Sequence, residues 1–239
     1  MLDVVAVPAF SDNYIWLVHD AESGETAAVD PGDAAPALAE AAKRGWTIGQ
    51  VWNTHWHADH TGGNVAAKEA TGCVVSGPGL RPISGVDVVL TEGAQIRLGA
   101  HVGAVWAIPG HTLDHLALVF EEQRIAFVGD TLFAMGCGRL FEGSAEQMHG
   151  SLQRLAALDG GTRLYCGHEY TLANAAFAVH AEPGNEAIAE RFAKVKELRS
   201  AGQITLPTTV AEERSTNPFV RASSPQHLAS LRAEKDSFR

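Results

Sequence analysis

The segment Thr54-His55-Trp56-His57-Ala58-Asp59-His60 sets three imidazoles and one carboxylate within six residues, in the order His-x-His-x-Asp-His. Neutral imidazole nitrogens and carboxylate oxygens are the donors that Zn²⁺ and similar divalent ions take. The alternation can send His55 and His57 one way and Asp59 and His60 toward a neighbouring point. Two adjacent ion sites therefore suit it better than one. Four donors do not complete two coordination shells, so the fold must bring about three or four more from elsewhere in the chain. A polar surface loop rich in histidine is the competing reading, but only 11 of the 239 residues are histidine, and chance rarely places them this way.

Three further residues have the right chemistry, each at the end of a predicted strand. His111 follows Ile108-Pro109-Gly110, Asp130 follows Ala126-Phe127-Val128-Gly129, and His168 follows Leu164-Tyr165-Cys166-Gly167. A glycine before each lets the backbone turn sharply, and loops at strand ends are where a rigid scaffold displays its chemistry. Taken alone, a His or Asp after glycine is ordinarily a turn residue. The shared context makes these three the missing donors.

The rest of the chain agrees with such a scaffold. Short runs rich in Val, Ile and aromatics, bounded by Gly, Pro or Asp, predict strands at 3–7, 14–19, 26–30, 50–53, 73–76, 102–108, 116–120, 124–128 and 163–166. Helical patterns cover 34–44, 64–70 and 145–158, with Gly45 and Gly72 where C-caps belong. Two sheets packed face to face with helices outside follow from this mixture. After about Tyr170 helix dominates, over 171–181, 186–200 and 225–235. Ile188, Phe192, Val195 and Leu198 form one apolar face, with Asn185 as N-cap and Gly202 as C-cap. The expected division is a mixed domain over 1–168 and a small helical one over 169–239.

Apolar residues at 46% and charged residues at 19% describe a chain that can build a core without disulfides. A net charge of −10 opposes a broad phosphate-binding surface, which excludes nucleic acid as a partner. No run approaches the roughly 18 apolar residues of a membrane span. Met1-Leu2-Asp3 carries no basic, then apolar, leader, and three scattered cysteines suit a reducing compartment, so a cytoplasmic enzyme is expected.

The pattern of His55, His57, Asp59, His60, His111, Asp130 and His168 resembles the metallo-β-lactamase superfamily. The closer similarity is to the glyoxalase II (hydroxyacylglutathione hydrolase) family. It extends through Asp12-Asn13-Tyr14, Val29-Asp30-Pro31-Gly32, Pro109-Gly110-His111-Thr112, Gly136-Cys137-Gly138-Arg139, Tyr165 to Thr171, and Arg232 to Asp236. The resemblance implies an α+β fold, a four-layer αββα sandwich with a C-terminal helical domain. It implies two divalent ions, zinc foremost, though iron or manganese accepts the same donors. His55, His57 and His111 would hold one ion, Asp59, His60 and His168 the other, and Asp130 would bridge them.

The implied reaction is hydrolysis of an S-(2-hydroxyacyl)glutathione such as S-D-lactoylglutathione, as in methylglyoxal detoxification, by a monomer. Two close divalent ions lower the pKa of a shared water and polarise the acyl oxygen. A thiol leaves readily as thiolate, so Asp59, Asp130 and the ions suffice for proton handling. No Gly-x-Ser-x-Gly elbow occurs, and Cys137 and Cys166 read as buried structural thiols.

Glutathione carries two carboxylates, and residues 211–239 hold five Lys/Arg against four Asp/Glu while the preceding 210 residues are strongly acidic. Carried over from the family, Arg232, Lys235, Arg139 and Tyr170 would bind the substrate. The family often has Lys at the position of Arg139, which keeps the charge, and Tyr at that of Phe141, which loses a hydroxyl. Asn13, Asp114 and His115 read as supporting residues, and His19, His101, His149, His180 and His227 as surface ones. A one-iron glutathione persulfide dioxygenase of the same superfamily is the alternative, opposed by the complete second ligand set and the helical tail. A non-catalytic metal module is opposed by the absence of a Cys-built closed site.

Overall fold

Apolar runs bounded by turn residues become strands throughout the computed structural model, which describes residues 1–238. The chain divides into two compact units, one of Met1–Ala107 with Asp114–Gly129, the other of Ile108–Leu113 with the chain from Asp130 onward.

The first unit contains β1 (Leu2–Ala9), β2 (Asn13–Asp20), β3 (Thr26–Val29), α1 (Ala34–Lys43), β4 (Ile48–Trp52), α2 (Ala58–Thr61), α3 (Asn64–Thr71) and β5 (Val74–Gly77). It continues with β6 (Val88–Val89), β7 (Gln95–Leu98), β8 (His101–Ala107), β9 (Leu116–Phe120) and β10 (Ile125–Gly129). β1 to β3 pair antiparallel and β3 to β6 run parallel, giving a six-stranded mixed sheet in sequence order. β7 to β10 form an antiparallel meander. β3, β9 and β10 are buried along their whole length, as strands covered on both faces must be.

Alternation along β4 explains how two layers join the first sheet. Val51 packs with Ala34, Ala37 and Ala41 of α1 and Ala67 of α3. Its neighbour Trp52 faces the opposite way and meets Phe120 of the meander, with ring centroids 5.9 Å apart. Asp33 caps α1 by accepting from the Ala35 amide, the arrangement that satisfies an orphan N–H of the first turn.

The second unit contains β11 (Leu132–Phe133), β12 (Gly136–Cys137), α4 (Ala145–Ala156), β13 (Arg163–Cys166), α5 (Thr171–Ala181), α6 (Glu186–Ser200), β14 (Thr208–Thr209), α7 (Val210–Thr216) and α8 (Pro225–Ser237). β11 pairs with β12 and β13 with β14, both antiparallel. The expected division lies at 168/169, whereas compactness groups these late helices with residues 108–113 and 130–168. The physical reason is a buried network. Glu213 accepts from the Met135 amide at 2.9 Å, from Thr208 Oγ1 at 2.6 Å and from Asn217 Nδ2 at 2.8 Å. It also pairs with Arg191 of α6 at 2.8 Å. Asn217 in turn donates to the carbonyls of Phe133 and Gly136. Helices and the β11–β12 turn are thereby tied through a single carboxylate.

The expected strands and helices appear with ends shifted by a residue or two, and Asn185 caps α6 as expected. Elements not anticipated are β6, β7, β11, β12, β14, α2 and α7. Strands of two to four residues and a single helical turn are too short to show a period. His19, His101 and His149 are half-buried rather than on the surface, since His19 stacks on Trp46 and His149 bonds the Ala222 carbonyl. Among the described residues no helix is long and apolar enough to cross a membrane.

Removing one partner of a buried ion pair costs about 3–5 kcal/mol. Glu213→Ala should therefore lower the unfolding free energy by about that amount in urea denaturation. A loss below about 1 kcal/mol would show that the network does not join the helices to the β11–β12 turn.

Candidate metal centre

In the first unit the donors follow β4. The loop is held by Asn53, fully buried, whose amide donates to the His60 carbonyl at 3.2 Å and pairs with Asn64. One turn of helix, α2, then sets Asp59 and His60 side by side.

Tautomers are fixed from behind by Asp30. Its Oδ1 accepts the Thr54 amide at 2.8 Å and its Oδ2 accepts the Thr54 hydroxyl at 2.7 Å. With its proton engaged there, Thr54 Oγ1 must accept from His55 Nδ1 at 3.1 Å, which leaves the lone pair of His55 on Nε2. Asp30 Oδ2 also lies 3.2 Å from His60 Nδ1, which sets the same carboxylate beside a second imidazole. His60 Nε2 then faces Asp59 Oδ2 at 3.4 Å, and His55 Nε2 faces His57 Nδ1 at 3.0 Å. Asp30, His55 and His60 present donor atoms within 4.8 Å of one another. Asp30 is the functional residue that sequence reasoning quoted in a motif without assigning it a role. It holds φ +52, and Asp is one of the few residues that tolerates the left-handed region.

In the second unit Asp130 Oδ2 lies 3.5 Å from His111 Nε2 and 3.3 Å from His168 Nε2. His111 Nδ1 donates to the Arg139 carbonyl at 2.9 Å, which again leaves the lone pair on Nε2. In each unit, then, imidazole lone pairs and carboxylate oxygens face each other at hydrogen-bond range. A divalent cation satisfies that arrangement, and the donor set fits one. Of the glycines that precede ligands, Gly110 and Gly129 take positive φ. At Gly129 a Cβ would meet Thr54 Oγ1 at 2.3 Å and His115 Nε2 at 2.9 Å, so only glycine lets β10 end beside the ligand loop.

The expected recognition residues all lie in the second unit, in different states. Phe141 is 60% exposed and sets its ring edge-on to His111 at 5.2 Å. Tyr170 stacks on His168, centroids 4.6 Å apart and planes 3° apart. The Arg139 side chain is largely exposed, 3.9 Å from Asp236. Arg232 is buried, donating to the Cys137 carbonyl at 2.9 Å and pairing with Asp236. Lys235 donates to the Ala173 carbonyl at 3.0 Å. Desolvation, and then the charge of Arg232, hold its ammonium below the ordinary lysine range.

The Cys137 thiol is pushed up to about 11 by burial, against a smaller opposing effect of Arg232. Burial takes Cys166 up to about 12. Neither is a thiolate nucleophile at neutral pH.

This donor set on a two-sheet α/β scaffold defines a metal-dependent protein of the metallo-β-lactamase superfamily. Residues 10–81 and 74–168 match the metallo-beta-lactamase superfamily model, and residues 169–238 match that of the hydroxyacylglutathione hydrolase C-terminus. The chain belongs to the hydroxyacylglutathione hydrolase family, with the α+β, αββα fold class and C-terminal helical part expected from its sequence. A hydroxyacylglutathione hydrolase of Methylococcus capsulatus is 51% identical over 97% of this chain and 91% of its own. One from Pseudomonas aeruginosa is 50% identical over 93% and 87%. Among solved structures, ETHE1 from Myxococcus xanthus superposes with a TM-score of 0.76 at 26% identity, over 100% of this chain and 92% of its own. The BLEG-1 B3 metallo-beta-lactamase superposes at 0.68 and 21% identity, over 91% and 99%, a likeness of fold alone. Family and donor set together imply divalent metal.

Two outcomes follow. Asp30→Ala frees the tautomer of His55, and loss of such outer partners weakens metal affinity by roughly 10–100-fold. A chelator competition titration measures this, and unchanged affinity would refute the role. The raised thiols favour the protonated, folded state, so stability is level below about pH 9 and falls as pH climbs toward about 11 and 12. Denaturation midpoints at pH 8 and pH 10.5 test the direction, and iodoacetamide should leave both thiols unmodified in folded protein at pH 8.

Proposed function

We propose that this protein is a binuclear metal-dependent hydrolase of glutathione thioesters. It would cleave S-(2-hydroxyacyl)glutathione, S-D-lactoylglutathione foremost, to glutathione and the 2-hydroxy acid, the chemistry of methylglyoxal detoxification. The observation that carries this reading is the joint presence of the His/Asp donor set and the C-terminal match over residues 169–238. Relatives that cover nearly the whole chain at about 50% identity bear the same name.

His55, His57 and His111 would hold one divalent ion, zinc foremost, and Asp59, His60 and His168 the second, with Asp130 between them. Such a pair supplies a water of lowered pKa and polarisation of the acyl oxygen. The chain's own residues do the rest. Asp30, through Thr54, and the Arg139 carbonyl keep imidazole protons away from the ions. Asp59 and Asp130 take the catalytic roles, handling the proton released as the thioester carbon is attacked. A thiol of ordinary pKa near 8.5 departs as thiolate, so no general acid is needed.

Residues 1–168 would carry this chemistry and 169–239 the recognition of glutathione. Arg139, Tyr170, Arg232 and Lys235 would bind the glutathione, with Phe141 lacking a hydroxyl that could donate to its peptide. Arg232 supports the Cys137 carbonyl and neutralises Asp236 beside them. We place the protein in the cytoplasm as a monomer with no nucleic-acid partner. Its buried thiols and its net charge of −10 support the compartment and the last of these.

Loss of thioester absorbance with S-D-lactoylglutathione tests the reading. Metal-loaded protein should turn over, stop on chelation and recover on restored zinc, and Asp130→Ala should lose both activity and metal. Lys235→Ala should raise KM about tenfold at nearly constant kcat, the equivalent of about 1.4 kcal/mol of ground-state binding. Oxygen consumption with glutathione persulfide, in place of thioester cleavage, would sink the assignment in favour of a one-iron dioxygenase.

A further inference from the structure

The hairpin between β1 and β2 turns at Phe10-Ser11-Asp12, and Phe10 takes φ +50, a conformation disfavoured for a residue with a Cβ. The turn delivers Asn13, the first residue of β2 and 7% exposed, onto the metal-ligand loop. Asn13 Nδ2 donates to Asp59 twice, to the carbonyl oxygen at 3.3 Å and to Oδ2 of the carboxylate at 3.0 Å. Gly32 crowds the same carbonyl, since a Cβ there would lie 1.9 Å from Asp59 O. The backbone of Asp59 is thus held between Gly32 and the Asn13 amide.

The side chain is the more consequential contact. Asp59 Oδ2, the oxygen that accepts from Asn13, is the one that stands 3.4 Å from His60 Nε2. A carboxylate oxygen has two lone pairs, and the Asn13 proton occupies one of them. The Asp59 side chain is 44% exposed, so water competes for its oxygens, and a protein donor on Oδ2 narrows the rotamers open to it.

We infer that Asn13 is a positioning residue that fixes the Asp59 rotamer, so that Oδ2 and His60 Nε2 are presented together to one divalent ion. The inference rests on the proposed binuclear reading, in which Asp59 and His60 share an ion. Outer partners of metal ligands commonly change affinity by 10–100-fold, which sets the expected size.

The test is zinc titration against a chromophoric chelator, comparing the native protein with Asn13→Ala and the near-isosteric Asn13→Leu. The native protein should take two ions. Both variants should keep the tighter ion at unchanged affinity and bind the other 10–100-fold more weakly, with far-ultraviolet circular dichroism unaltered. Asn13→Leu fills the same volume and removes the donor without adding a charge, so its loss separates the hydrogen bond from a void. Second-ion affinity within twofold of native in either variant overturns the inference, as does equal weakening of both ions, the mark of a general structural defect. A native protein that takes a single ion overturns the binuclear reading itself.

Discussion

Everything at this site depends on a proton being in the right place on each imidazole. A histidine can ligate a cation only through the nitrogen that lacks hydrogen. Asp30 decides which nitrogen that is for His55, by engaging the Thr54 hydroxyl, and it also lies beside His60 Nδ1. Such an arrangement would be unfavourable in water, where the Asp30 carboxylate would be hydrated and the imidazoles would exchange tautomers freely. Burial makes it persistent: Asp30, Thr54, His55 and His60 are all at most 4% exposed. In that low-dielectric setting a satisfied network is rigid and an incomplete one is expensive.

The second unit solves the same problem with backbone in place of a carboxylate. His111 gives its Nδ1 proton to the Arg139 carbonyl, in the segment that also carries the Arg139 and Phe141 side chains. The segment that orients His111 therefore also carries two of the side chains proposed to meet the substrate. That loop follows the β11–β12 turn, which Glu213 and Asn217 tie to the late helices, and Arg232 holds the Cys137 carbonyl within it. The C-terminal helices are consequently part of the scaffold that holds the Arg139 segment.

Chemistry and charge are then consistent. A thioester releases a good leaving group, so a site built from cation ligands can dispense with a nucleophilic side chain, and the nearby thiols are buried and protonated. An acidic body repels polyanions in general.

The candidate donors and most of the strands were legible in the chain. Ligand chemistry resides in residue type and spacing, as in His55-x-His57-x-Asp59-His60, and strand runs such as 116–120 show their burial as continuous apolarity. The role of Asp30 and the burial of His19, His101 and His149 were not legible, nor was the commitment of Arg232 to Cys137. Each involves a contact between residues 7 to 95 positions apart in the chain, made by a side chain whose type is equally at home on a surface. Short elements such as α2 and β12 were also hidden, because one turn or two residues carry no period. The sequence alone determined which atoms can bind and where chains of apolar residues must be covered. Only the tertiary structure decided which proton sits on which nitrogen and which cation is exposed, because long-range packing chooses hydrogen-bond partners and local pattern does not.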